Sequence, residues 1–289
     1  MVNYASMNNK GIDLKIRSTI LKSRDFEWDA RLLFSYNRNR VTDVVDEIIT
    51  PVWLAYSGAL TKGLPLENIY SFNYAGLSDG GDVMLHSGDS IVNWRDYKGN
   101  ELKEDLLYYG TRVAPVYGGL SSTIKYKGFD LSINLTYKFG YKFKHYYNTG
   151  TDSFYEGIRA PDIWTERWME PGDELTTRVP KIAYNGKNPY TDVKEFWWDS
   201  YDADWYWLDS QDNILNGGFI RVKEIVLGYN VSPRILSATP LKFLRASVQI
   251  TNPFLWLAND RGIDPENRYN SAWATGNLKS VTAGIRATF

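Results

Sequence analysis

The chain has 289 residues, with 33 Lys and Arg against 34 Asp and Glu and a formal net charge of -1. That balance offers no basic field for nucleic acid, and the lack of cysteine excludes disulfides and thiolate metal sites. No run of 18 apolar residues occurs, which excludes a transmembrane helix but not a membrane β-barrel, whose signal per segment is weak.

Aromatic residues make up 15%, with 11 Trp and 21 Tyr, a proportion suited to ring belts or to stacking on ligands. The opening MVNYASMNNK has no apolar core of the kind a signal peptide needs, so export of this chain requires an explanation.

Taken in order, residues 11–21 alternate Ile12, Leu14, Ile16 and Ile20 against Asp13, Lys15, Arg17 and Thr19. After a polar connector at 22–25, Phe26, Trp28, Ala30, Leu32, Phe34 and Tyr36 continue the pattern to residue 37. Period-two alternation of this kind marks strands with one apolar and one wet face. Residues 38–116 carry almost no periodicity, apart from a short helix expected at 99–109. Inside a compact domain so long a loop would count against the assignment, but barrels carry long loops on one side.

Residues 117–141, YGGLSSTIKYKGFDLSINLTYKFGY, form the clearest hairpin. A two-residue turn at Lys127-Gly128 would set Tyr126 opposite Phe129, Ile124 opposite Leu131 and Leu120 opposite Leu135. The second strand of the pair runs about twelve residues, about 40 Å at roughly 3.3 Å each, well beyond a usual globular strand. Its apolar face ends in aromatics at both tips. The polar face carries Lys125, Asp130, Asn134 and Lys138, expected to meet a solvated lumen or a plug.

A second long insertion spans 142–216. Residues 218–231 (GFIRVKEIVLGYNV) resume a strand whose apolar parity changes near Lys223-Glu224, as a β-bulge would cause. Another strand follows at 241–252, a third insertion at 253–276, and a closing alternating stretch at 277–289 that stops on Phe289. Every short connector falls on one side and every long loop on the other. The expected fold is therefore all-β: six long antiparallel strands in three hairpins, part of a transmembrane β-barrel with long extracellular loops. A soluble β-rich carbohydrate-binding module is the alternative, and it would bury Leu131, Ile133 and Leu135 under a second sheet.

Catalytic signals are sparse. His86 and His145 are the only histidines, stand in no ligand-like spacing and read as loop or rim residues. Asp199, Asp202 and Asp204 crowd together and residues 78–82 (SDGGD) form a loose acidic turn, but neither has a full calcium-loop pattern. No nucleophile elbow or phosphate-binding glycine loop occurs. No catalytic residue, metal ligand or cofactor is expected. The candidate binding surface is the aromatic run Trp197, Trp198, Tyr201, Trp205, Tyr206 and Trp207, in a predicted extracellular loop, where rings stack on sugar faces or hold apolar peptide side chains. The other reading is that these rings pack the loop against its neighbours or a partner lipoprotein.

Four motifs then coincide in order: NKGIDLKI at 9–16, WMEPGDELTTRVPK at 168–181, GFIRVKEIVLGYNVSP at 218–233 and GIDPEN at 262–267. With a final strand ending in Phe289, the chain resembles the C-terminal portion of a SusC/RagA-type TonB-linked outer-membrane transporter of the Bacteroidetes. The resemblance implies a barrel of about 22 strands whose plug, TonB-contacting segment and earlier wall have no counterpart here. It implies that Phe289 is the terminal aromatic read by the barrel-assembly machinery. It also implies the TonB system, a SusD-type surface lipoprotein and outer-membrane lipid as partners. The activity it implies is import of an oligosaccharide or oligopeptide, without enzymatic chemistry.

Overall fold

The computed structural model describes residues 5–45, 51–97, 103–145, 163–181, 186–187, 194–195, 205–267 and 277–289. Strands β1 (Ala5–Lys22) and β2 (Phe26–Val44) come first. The first insertion holds helix α1 (Pro51–Ser57) and strands β3 (Asn68–Ser71), β4 (Tyr74–Leu77), β5 (Val83–Ser87), β6 (Ser90–Asn93) and β7 (Leu107–Thr111). Next come β8 (Val116–Tyr126) and β9 (Phe129–Phe139). The second insertion carries β10 (Lys142–Lys144), β11 (Gly186–Lys187), β12 (Lys194–Glu195) and β13 (Ile214–Asn216). Strands β14 (Phe219–Asn230), β15 (Phe243–Leu257) and β16 (Ser280–Thr288) complete the order.

One antiparallel sheet runs β1-β2-β8-β9-β14-β15-β16, and the other pairings are small ribbons within the insertions. The sheet therefore has seven strands, not six. The three expected hairpins are present, and the closing stretch adds β16 against β15, because Val281, Ala283 and Ile285 alternate as cleanly as the strands before them. The strands also outrun their sequence-derived ends: β1 has 18 residues, β2 19 and β15 15. The helix expected at 99–109 is reduced, within the described residues, to a single 3-10 turn at Lys103–Asp105. Tyr108 and Leu107 instead pair with Tyr70 and Ser71 of β3, so a strand takes over where a helix was expected.

The turn at Lys127-Gly128 sets the register of the central hairpin. Both residues have positive φ, 45° and 90°, the conformation in which a two-residue loop matches strand twist. Tyr126 faces Phe129, Ile124 faces Leu131 and Leu120 faces Leu135. Pairing then carries apolar rows across the whole sheet. Ile16, Leu32, Leu120, Leu135, Val222 and Phe254 form one such row, and Leu21, Trp28, Ile124, Leu131, Leu227 and Val248 another.

The bulge expected near Lys223 is present in β14, and a further extra residue lies beside it in β15. Between two consecutive apolar rows, β9 has one residue (Asn134), β14 has two (Lys223, Glu224) and β15 has three (Thr251, Asn252, Pro253). Asn252 takes a positive φ of 51°, and Pro253 sits where a missing N–H breaks no regular ladder.

The hydrophobic core does not lie against this sheet. Its cluster consists of Leu54, Ala55, Tyr70, Phe72, Tyr74, Val83, Leu85, Trp94, Tyr97, Leu106 and Trp207, all from the insertions. Among the described residues no second sheet covers the apolar face: Leu131, Ile133 and Leu135 are only half-buried and Phe129 is exposed. Among the described residues these side chains do not take part in the layered core a soluble module would need. Loop packing and sheet pairing are separate sources of stability here, and the apolar stripe is left outward.

Candidate functional site

The apolar face carries few polar groups, and two of them are paired within it. The Trp28 indole N–H donates to Ser122 Oγ at 3.0 Å, and the Tyr137 hydroxyl donates to the Leu33 carbonyl at 3.0 Å. Pairing of that kind is what a surface in hydrocarbon requires. The opposite face is a lattice of hydrogen bonds and ion pairs. Lys125 contacts Glu27 at 2.7 Å, Arg245 contacts Asp130 at 2.8 Å, Gln249 donates to Glu224 at 3.2 Å, and Thr123 and Ser132 share a bond of 3.2 Å. At the short-turn end this face borders an open cleft of about 680 Å³ whose lining includes Glu27, Lys125, Asp130, Asn230 and Arg245.

At the long-loop end, motifs separated in sequence meet. Arg221 is nearly fully buried, sits over the Phe219 ring and donates to both carboxylate oxygens of Asp264 and to Glu266 at 3.1 Å. Glu266 also accepts from Lys138 at 3.3 Å. The GIDPEN motif is thus an acidic latch closed on the arginine of GFIRVKEI, an association that neither motif discloses alone. The 168–181 motif docks on the acidic turn at 78–82. Lys181 lies 3.2 Å from Asp82, Arg95 lies 2.8 Å from the same carboxylate, and Gly81 fits under the Trp168 ring. Asp82 is thus engaged by two cations, and the acidic turn is where the 168–181 motif docks.

The candidate binding residues divide. Trp197, Trp198 and Tyr201 lie outside the described residues, as do Asp199, Asp202 and Asp204. Trp207 is 3% exposed and belongs to the loop core, and Tyr206 packs beside it against Phe72, Trp94 and Tyr97. Both take the packing role. Trp205 instead faces outward at 36% exposure and stacks on Tyr56, ring centroids 5.0 Å apart and 2° from parallel. Trp53, 61% exposed, meets Tyr56 edge-on at 6.0 Å. Trp53, Tyr56 and Trp205 form an exposed aromatic ledge built from two insertions. The sequence run named only Trp205, because α1 carries no periodic signal that would link it to residue 205.

Beneath the ledge, the Lys144 ammonium donates to the Ala55 carbonyl and to Asp209 at 2.6 Å, with Lys144 and Asp209 side chains 5% and 4% exposed. Burial pushes the Lys144 pKa down, opposed by Asp209. Burial likewise raises the Tyr74 hydroxyl, which donates to the Arg178 carbonyl at 2.8 Å. Residues 205–213 are stitched to β3 and β4: Phe72 N–H donates to the Asp209 carbonyl, and the Gln211 amide exchanges bonds of 2.7 and 2.8 Å with the Tyr74 backbone. His86 sits within β5 and His145 is buried at the end of the β10–β13 ribbon. Among the described residues no group of three or more His, Cys, Asp or Glu could hold a metal.

Long strands with an uncovered apolar face, an ion-paired opposite face and a loop assembly gathered at one end are a sector of a membrane β-barrel wall. Within this chain the barrel is not closed.

No family model matches the chain. Over 99% of its length it is similar to TonB-dependent receptor P39 of Formosa agariphila, 24% identical across 340 residues that make up 31% of that protein. It is 22% identical to TonB-dependent receptor SusC of Bacteroides thetaiotaomicron over 273 residues, covering 91% of this chain and 24% of SusC. Among solved structures, the RagAB peptide transporter superposes with a TM-score of 0.65 at 19% identity, over 99% of this chain and 30% of that one. The RagAB peptide importer in its 'open-open' state gives 0.61 at 20% identity, over 99% and 29%. The chain is thus similar in sequence to TonB-dependent receptors, SusC among them, and shares its fold with part of the RagAB transporters. It spans about a quarter to a third of the length of the relatives it matches.

Proposed function

We propose that this chain is the C-terminal wall sector, with its loops, of a TonB-dependent importer in the outer membrane. The observation that carries the reading is the two-faced sheet: among the described residues its apolar rows stay uncovered, and the hydrophobic core cluster lies in the loops. The rest of such a receptor would supply the remaining wall and a plug drawn by TonB, and the ion-paired face would line the lumen against that plug. The cargo is an oligosaccharide or an oligopeptide. The peptide transporters among the structural neighbours support the second of these. Trp205, with Trp53 and Tyr56, is the described part of the substrate-contact surface, and Trp197, Trp198 and Tyr201 would extend it. A SusD-type lipoprotein would cap these loops. Phe289, exposed beyond β16, would serve as the assembly signal. The work is binding and passage, with no covalent step.

Because the chain lacks cysteine, single-cysteine labelling tests the wall directly in the intact receptor in outer membranes. Leu131→Cys should react with a lipid-soluble thiol reagent and resist a water-soluble one. Ser132→Cys should show the reverse. Equal labelling of both by the water-soluble reagent would overturn the reading.

A further inference from the structure

We propose that Lys144 is a positioning residue that fixes the Trp53–Tyr56–Trp205 ledge to the barrel wall. The inference rests on the reading of that ledge as a substrate-contact surface and adds to it the part that holds it in place.

Strands β10 and β13 prolong two neighbouring wall strands. β10 begins three residues after β9 ends, β13 ends three residues before β14 begins, and the ladder continues through Gly217 N–H to the Tyr141 carbonyl at 3.0 Å. Lys144 pairs with Ile214 in this ribbon, so its backbone is continuous with the wall. Its ammonium reaches both elements that carry the ledge. One contact is the Ala55 carbonyl, beside Tyr56 and two residues from Trp53. The other is Asp209, whose N–H closes the helical turn by donating to the Trp205 carbonyl at 3.0 Å.

A stack 2° from parallel between rings on separate insertions requires those insertions to be registered to each other. Lys144 touches both. A dry ion pair is weak evidence for stability, because desolvation offsets its attraction, but its directional bonds specify an arrangement. A pair kept at the junction of wall, α1 and the 205–208 turn fits that use.

The test uses the intact receptor in outer membranes, with Tyr56→Cys and Trp205→Cys as the only thiols of this chain. Both rings are gone, so a short bifunctional thiol reagent reads how the two backbones are registered. Lys144→Met with Asp209→Asn removes both charges together, leaving no unpaired buried ion and overall stability near that of the parent. Cross-linking yield is expected to fall about tenfold, an equilibrium change of about 1.4 kcal/mol, while the heat-induced gel shift of the barrel stays put. An unchanged yield overturns the inference. Should the double variant fail to fold, Lys144→Arg keeps the buried charge paired with Asp209 but cannot reproduce the ammonium's two bonds, and it must still lower the yield. Failure of the ledge reading is separate: it would appear as normal uptake by Trp205→Ala, whatever the cross-linking result.

Discussion

The guanidinium of Arg221 donates to both carboxylate oxygens of Asp264, at 2.7 and 2.6 Å, across 43 residues of chain. Arg221 lies on the wall and Asp264 in the third insertion, so this contact pins a loop to a strand. Its arginine side chain is 3% exposed, where breaking a pair leaves uncompensated charge.

Arg221→Met is accordingly expected to cost about 3 kcal/mol or more, with the loss confined to the loop. Hydrogen exchange over residues 258–267 should rise sharply while exchange in β14 and β15 stays slow. Arg221→Lys keeps the charge but not the fork, and should protect the loop only partly.

Gly81 stands at φ +77°, and a Cβ there would lie 2.5 Å from the Trp168 ring. Gly81→Ala therefore combines an unfavourable backbone with a clash against a rigid ring, for about 1–3 kcal/mol. The measurement is the thermal midpoint of Trp fluorescence, which should fall. Gly172, also at positive φ but with nothing within 4 Å, should show a smaller drop on the same change.

Glu174 is held below the ordinary glutamate pKa by backbone N–H groups, its own first and that of Gly172 next, and by the Trp168 indole N–H. A depressed carboxylate contributes stability that is complete above its unfolded value and is lost as pH falls through the folded one. The 168–175 turn should therefore be intact at neutral pH and loosen in acid below the usual carboxylate range. A titration of Trp168 emission reads this, and Glu174→Gln should flatten it.

On the wall, Ile133 and Ser132 are sequence neighbours on opposite faces. Ile133→Arg puts a charge among the apolar rows and should cost about 2–4 kcal/mol near the bilayer midplane. Ser132→Arg, among the polar pairs, should assemble normally. Urea unfolding in lipid vesicles separates the two. Equal cost at both positions would contradict the assignment of faces.

For the ledge, Trp205→Ala should reduce uptake of the receptor's cargo at limiting concentration by about tenfold, from roughly 1.5 kcal/mol of ring contact. Stability should hardly change. Trp207→Ala should instead cost about 3–5 kcal/mol by emptying the loop core. A panel of oligopeptides and oligosaccharides, scored for uptake beside a heat-modifiability gel, distinguishes these outcomes.

Much of the wall was legible because alternation is local. Lys127-Gly128 alone fixes the pairing of eleven cross-strand partners, and the parity change at Lys223 marks the bulge. The count of strands fell one short because β16 has no hairpin partner after it to make it a pair. The site was far less legible. Trp205 and Tyr56 belong to insertions with no periodicity, and their stacking depends on Lys144 and Asp209, whose partnership no spacing rule encodes. Trp207 shows the same limit from the other side: in a run of aromatic residues, sequence does not tell the buried ring from the exposed one two residues earlier. The Arg221–Asp264 latch joined two motifs that were read separately, for want of any local signal between a strand and a distant loop.

The stepwise gain of one residue per strand, from Asn134 in β9 to Thr251, Asn252 and Pro253 in β15, has a geometric consequence. The ladder resumes on both sides of this step, so the surplus backbone of β14 and β15 is taken up as a local bend and a stronger right-handed twist. The coil of the wall toward its loop-bearing end is thus written into main-chain length before any side chain is placed.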